Sequence, residues 1–260
     1  VGSEMCIRDR VWAMVENVST RESVQKLDTK ELMSVTSKRK KLIENLMKEA
    51  DTYGFDGFNL DFESLKSEAG PHYVQFIREM SVACRKRGLV LSVDNYVPSA
   101  YTAFYNRKEQ GIVADYVIVM GYDEHYAGGE PGPVASISYV KNGIADTLKE
   151  VPKEKVINSV PFYTRVWTEK DGKTTSKAYG IRDAKKWVEE NGVELEWQDE
   201  LGVYYGQVSG ENGTQSIWME EEKSLGLKID QIREYNLAGV ACWKLGFEDS
   251  NIWDIVSQVQ

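Results

Sequence analysis

The chain has 260 residues, 42% hydrophobic and 28% charged, the make-up of an ordinary globular domain, which excludes wholesale disorder. A net charge of −9 excludes a nucleic-acid partner, which needs a basic face to meet phosphate, and equally excludes charge-driven binding to an anionic membrane or polymer. No run of about 18 apolar residues exists to insert in a membrane, the three scattered cysteines form no disulfide framework, and two histidines are too few for a multi-histidine metal site.

Residues 1–10 carry no clear periodicity and are set aside as an artefactual or disordered lead, with no function expected there. From residue 11 onward short apolar runs alternate with longer amphipathic stretches. Val11–Val15 reads as a strand. Arg39–Tyr53 reads as a helix, with Leu42, Ile43, Leu46 and Met47 at helical spacing. Gly57–Phe62 is a short strand, and Pro71–Arg87 a helix with Pro71 in its first turn and Gly88 as its stop. Leu89–Val93 and Tyr116–Met120 read as strands, Pro133–Val151 contains a helix, Val156–Val160 and Leu237–Trp243 are strands, and Asn251–Val259 closes as a helix.

Strands alternating with helices predict parallel βαβ units. The count is six core strands, and a closed barrel needs eight. Either two strands are missing at the N-terminus or the sheet is open and doubly wound. One long connection, Tyr163 to about Leu225, breaks the rhythm. It holds a helix near 183–191 and strand-like pieces at 195–197, 203–205 and 216–219, which together predict a small α+β insertion. Such insertions usually lie on the face that carries the active site.

The stretch most informative about chemistry is Asp56-Gly57-Phe58-Asn59-Leu60-Asp61-Phe62-Glu63. Side chains alternate along a strand, so Asn59, Asp61 and Glu63 share one face and Phe58, Leu60 and Phe62 the other. In a parallel barrel the apolar row packs on helices and the polar row points inward. Glu63 then sits at the carboxyl end of its strand, where barrel enzymes keep their reacting groups. Asp61 and Glu63 are one strand repeat apart. Like charges this near do not both ionise cheaply, so one pKa rises, and a carboxyl kept protonated near neutral pH is a usable general acid. The bland reading, an ordinary D-x-E pair on a solvated edge strand, is disfavoured by the clean alternation and the Asp56-Gly57 turn.

This stretch resembles the DxxDxDxE signature of glycoside hydrolase family 18, the chitinase-like (β/α)₈ barrels. Asp56, Asp61 and Glu63 match, and Asn59 departs from the usual Asp. Met120-Gly121-Tyr122-Asp123, after a strand, resembles the family's MxYD motif, and Trp243 resembles the tryptophan that floors its sugar subsite. The segments Tyr122-Asp123-Glu124-His125, Gly132-Pro133-Val134-Ala135-Ser136 and 237–243 are similar to those of spore-germination and cortex-lytic N-acetylglucosaminidases. The fold class implied is a (β/α)₈ TIM barrel over residues 11–260, beginning at the third strand with the first two absent, and carrying residues 164–225 as an insertion before the last strand.

The resemblance implies substrate-assisted retention, in which the 2-acetamido oxygen of the substrate is the nucleophile. Glu63 would protonate the leaving oxygen and later activate water. Asp61 would orient the acetamido group and stabilise its positive charge, and Tyr122 would hydrogen-bond its carbonyl. Asp123 and Trp243 would contact the sugar, with Asn59, Asn17, Asn95, Met120, Tyr163 and Arg165 as further substrate-binding residues. No cofactor and no metal is required. The implied partner is a glycan containing N-acetylglucosamine, in peptidoglycan, spore cortex or chitin, met outside the membrane at the cell wall or spore. His125 reads as a local hydrogen-bonding residue, and Trp197 and Trp218 as the insertion's own small core. A barrel that has lost its acid becomes a lectin-like glycan binder; Glu63 is present, which favours the enzyme. No G-x-S-x-G elbow or P-loop supports an unrelated hydrolase.

Overall fold

The computed structural model describes residues 10–17 and 28–259. Residues 1–9, read above as a lead, lie outside the described residues. The chain divides into two compact units, Val1–Ile118 with Glu150–Lys155, and Val119–Lys149 with Val156–Gln260.

The first unit contains β1 (Trp12–Glu16), α1 (Thr29–Ser34), α2 (Thr36–Tyr53), β2 (Gly57–Asp61), α3 (Gly70–Arg85), β3 (Val90–Tyr96), α4 (Arg107–Val113) and most of β4 (Tyr116–Met120). The strands lie in the order β1-β2-β3-β4. β1 pairs with β2 in parallel with Glu16 opposite Asp61, and β2 pairs with β3 in parallel with Asn59 opposite Ser92. Gly57 allows this approach: a Cβ there would lie 2.5 Å from the Val90 carbonyl oxygen.

The alternation of β2 is realised as expected. Phe58, Leu60 and Phe62 are buried with Tyr73, Phe76, Ile77 and Met80 of α3 in one hydrophobic cluster. The Phe62 ring lies 5.2 Å from that of Tyr73 and 5.8 Å from that of Phe76. Each such side chain taken from water contributes about 1.5–3 kcal/mol, which locks the register, because a one-residue slip would exchange this row with the carboxylates. α2 buries Arg39, Ile43, Met47 and Ala50 at near-four-residue spacing and ends at Gly54 in the left-handed region. Buried Arg39 is paired with Glu79 of α3 at 2.9 Å.

Two differences from the sequence reading matter. β3 runs to Tyr96, three residues past the expected end at Val93. The helices α1 and α4 were not anticipated; both are short and capped, α1 by Asp28 and α4 by Asn106.

The second unit contains the end of β4, α5 (Ile137–Thr147), β5 (Val156–Pro161), β6 (Tyr163–Lys170), β7 (Lys173–Gly180), α6 (Ile181–Glu190), β8 (Leu195–Gln198), β9 (Val203–Gly210), β10 (Gly213–Met219), α7 (Glu222–Glu234), β11 (Gly239–Trp243) and α8 (Ile252–Val256). β4, β5 and β11 lie in that order, with β5 and β11 parallel. β6 to β10 form an antiparallel sheet in the order β7-β6-β10-β9-β8, which includes one hairpin, β6-β7, that the sequence reading did not resolve. The turn Asp171-Gly172 makes that hairpin, both residues having positive φ. The last of these strands ends at Met219 and α7 starts at Glu222, so the segment expected to run to residue 225 gives way to helix earlier. Among the described residues no helix is long and apolar enough to cross a membrane.

Candidate active site

The first unit gathers a row of carboxyls at the ends of β2 and β3. Asn59 donates through Nδ2 to Ser92 Oγ and to Asp94 Oδ1, both at 2.9 Å. Asp61 follows on the same face, and one of its carboxyl oxygens is buried with no hydrogen-bond partner among the described residues. Glu63 lies two residues past the end of β2. Its backbone is held at both polar groups by one side chain: Asn17 Oδ1 accepts from Glu63 N at 2.8 Å, and Asn17 Nδ2 donates to Glu63 O at 2.9 Å. The amide of Asn17 thus continues the β1–β2 ladder one step beyond its last backbone pair. The Glu63 carboxylate accepts from Tyr96 Oη at 2.8 Å, and Tyr96 Oη in turn accepts from Ser64 N at 3.1 Å. Ser64 has φ of 53°, so the chain turns away directly after Glu63. Tyr105 closes the support by donating to the Phe62 carbonyl at 3.0 Å.

Burial governs the electrostatics of this row. Desolvation first, then the charges of Glu63 and Glu16, push the Asp61 pKa up to about 6. Desolvation pushes Asp94 up to about 7, opposed by the hydrogen bond from Asn59 and reinforced by the charges of Asp61 and Glu63. The raised carboxyls expected from a crowded acidic strand are therefore Asp61 and Asp94. Both folded-state values lie above the ordinary carboxyl value, so the folded protein holds these protons more tightly than the unfolded chain does. Their contribution to stability is full below about pH 4 and is lost as pH rises through 6 and 7. Thermal melts at constant ionic strength are expected to give a lower Tm at pH 8 than at pH 5.5, by a loss on the order of a few kcal/mol. An equal or higher Tm at pH 8 would show that the row is not desolvated as described.

The sequence-predicted residues divide as follows. Asn59, Asp61, Glu63 and Asn17 come together in this row, Asn17 through the Glu63 backbone. Asn95 does not join it. It is buried on the opposite face of β3, where its amide exchanges hydrogen bonds with Gln110 of α4 at 2.6 and 3.1 Å, so its expected role as a substrate contact is corrected to packing. Asp56, matched in the motif, lies at the other end of β2 and accepts from Val11 N at 2.8 Å, tying down the start of β1. Asp94 was missed, although the polar run Ser92, Asp94, Tyr96 between Leu91, Val93 and Asn95 is a period-2 signal that extends the strand.

The second unit carries a second constellation. Gly121 lets β4 approach β5 closely: its N–H donates to Ser159 O at 3.1 Å, and a Cβ there would meet that oxygen at 2.8 Å. The chain then turns through Asp123, whose φ is 59°. Asp123 Oδ1 accepts from the buried Tyr163 Oη at 2.5 Å and lies 3.8 Å from Arg165 Nη2. Burial and the adjacent Asp123 charge push the Tyr163 hydroxyl pKa up, so it stays a donor. The Tyr163 ring is edge-on to Tyr122 at 6.0 Å and to Trp243 at 5.3 Å. Trp243 is 41% exposed, a large apolar face left to solvent. Met120, at the end of β4, is 8% exposed. His125 Nδ1 lies 2.8 Å from the Glu130 carbonyl, the local role read from sequence. The insertion's tryptophans sit apart: Trp197 packs on Tyr204 beneath the Lys223 ammonium, and Trp218 on Tyr205.

Comparison with known proteins points to one family. The model of glycosyl hydrolases family 18 matches residues 26–248. The chain is 28% identical over 257 residues to the uncharacterized glycosylase YvbX of Bacillus subtilis (95% of this chain, 74% of that protein). It is 26% identical over 235 residues to the cortical fragment-lytic enzyme of the same organism (87% and 54%), and so spans about half the length of that relative. Among solved structures, a chitinase from Chromobacterium violaceum superposes with a TM-score of 0.88 at 24% identity (96% and 80%). The spore cortex-lytic enzyme SleL of Bacillus cereus superposes at 0.83 and 22% identity (95% and 58%). The chain belongs to glycosyl hydrolases family 18, and its six described core strands, β1 to β5 and β11, are strands of a (β/α)₈ barrel.

Proposed function

We propose that this chain is a glycosidase cleaving β-1,4 bonds next to N-acetylglucosamine, in cortex peptidoglycan or in chitin, by substrate-assisted retention. The observation that carries the reading is the row itself. Glu63 stands at the strand end with its backbone clamped by Asn17 and its carboxyl oriented by Tyr96, and Asp61 beside it keeps a buried, unpartnered oxygen. Glu63 is the general acid and then the base. The Asp61 carboxylate receives the substrate's acetamido N–H, and its charge stabilises the oxazolinium that forms when the acetamido oxygen attacks the anomeric carbon. Tyr122 hydrogen-bonds the acetamido carbonyl, a positioning contribution. Asp123 and Arg165 contact sugar hydroxyls, and the exposed ring of Trp243 offers an apolar floor.

The cortical fragment-lytic relatives favour peptidoglycan over chitin and a place of action at the cell wall or spore. The test is digestion of purified cortex peptidoglycan and of chitin oligomers, with products read by mass spectrometry. Fragments ending in reducing N-acetylglucosamine, formed with retention at the anomeric carbon by NMR, support the proposal, and the faster polymer names the substrate. Binding without cleavage would make the chain a glycan-binding barrel and overturn it.

A further inference from the structure

Asp94 is a carboxyl that the mechanism above does not use. It sits on β3, faces the row on β2 and is partly buried, and among the described residues its carboxyl accepts from an amide, Asn59, at 2.9 Å. Both N–H groups of that amide are spent, one on Ser92 and one on Asp94, so the orientation of Asn59 is fixed and only its carbonyl oxygen remains to face other groups. From β2, Asp61 and Glu63 act on Asp94 by charge; from β1, Glu16 acts on Asp61. From α3 the buried Tyr73 hydroxyl lies in the field of both aspartates, Tyr105 lies in that of Asp61 and Glu63, and Tyr96 on its own strand holds Glu63. Repulsion between such groups is mutual. If charge on Asp61 and Glu63 makes ionising Asp94 costly, charge on Asp94 makes removal of the last proton from the row equally costly.

We propose that Asp94 is a positioning residue for the reaction: from the neighbouring strand it orients Asn59 and adds a third carboxyl to the row, whose charge keeps a proton there near neutral pH. This rests on the glycosidase reading given above. Asp94 neither touches the substrate nor transfers a proton to it. Its contribution is to extend toward higher pH the range in which the row still holds the proton that the acid step needs.

The experiment compares wild type, Asp94→Asn, and the double variant Asn59→Asp/Asp94→Asn, which moves the carboxyl from β3 to β2. The readout is kcat/KM against pH on the polymer that wild type cleaves. Asp94→Asn is expected to move the basic limb down by about one pH unit, with KM on the acid side unchanged within about twofold, and the double variant is expected to move the limb back. A purely structural role would lower kcat at every pH and leave the limb in place, and that result overturns the inference. A second measurement does not depend on activity: the carboxyl ¹³C resonances of aspartate-labelled wild type are titrated. Asp94 titrating well above the ordinary carboxylate range, with Asp61 responding in the same step, supports the inference. Asp94 ionising at an ordinary value overturns it, whether or not Asp94→Asn folds. If wild type cleaves nothing while the titration behaves as expected, the glycosidase reading alone fails.

Discussion

Replacing Glu63 by Gln is expected to lower kcat on the cleaved glycan by about 10²–10⁴-fold, the usual contribution of a positioned general acid. Glutamine keeps the volume and an acceptor oxygen for the Tyr96 hydroxyl, and Asn17 holds residue 63 through backbone atoms that the substitution does not alter. The fold and the orientation of the side chain are therefore retained, and only the proton is lost. Because that proton moves in the transition state, kcat and kcat/KM should fall together while KM stays within a few-fold. Initial rates over a substrate series, with melting curves to show equal Tm, check this. A variant retaining more than about a tenth of wild-type kcat would remove Glu63 from the acid role and with it the mechanism proposed here.

The second large effect is on stability. Lys228 of α7 and Glu220 are both fully buried, paired at 2.9 Å, with Ser224 donating to the same Glu220 oxygen at 2.7 Å. Removing Lys228 leaves that carboxylate without its counter-ion. Lys228→Ala is expected to cost about 3–5 kcal/mol, as breaking one partner of a buried pair does, or roughly 10 °C in Tm for a chain of this size. Desolvation already pushes the Glu220 pKa up against the pull of Lys228, and the nearby Glu124 adds to the rise. Without the lysine the rise grows, so the folded variant takes up a proton that the unfolded chain gives away. The penalty is then partly relieved at low pH and largest at high pH. Denaturant melts of both proteins at pH 5 and pH 8 read the difference. The paired replacement Lys228→Met/Glu220→Leu should recover much of the loss, since a buried ion pair gains little over apolar packing of similar volume. A single variant as stable as wild type at pH 8 would mean the pair is not desolvated.

Local pattern determined much of this protein. The period-2 row of β2 put Asn59, Asp61 and Glu63 on one face and the phenylalanines on the other, because side-chain alternation is a property of the strand itself. The helical spacing of α2 and α3 and the βα alternation are equally legible, and the motif residues carry the likeness to the family. Tertiary structure alone decided which groups meet. Asn17 and Glu63 are 46 residues apart, and Asn59 and Asp94 are 35 apart; no periodicity within either strand records that pairing, since strand register is set by packing across the sheet. Asn95 shows the same limit from the other side. Ending β3 at Val93 left Asn95 and its neighbours without a face, whereas the three further residues of strand turn Asn95 onto α4 and Asp94 onto the row. Which carboxyl carries a raised pKa was also beyond sequence, because desolvation depends on what is packed above each oxygen and spacing along the chain does not record it.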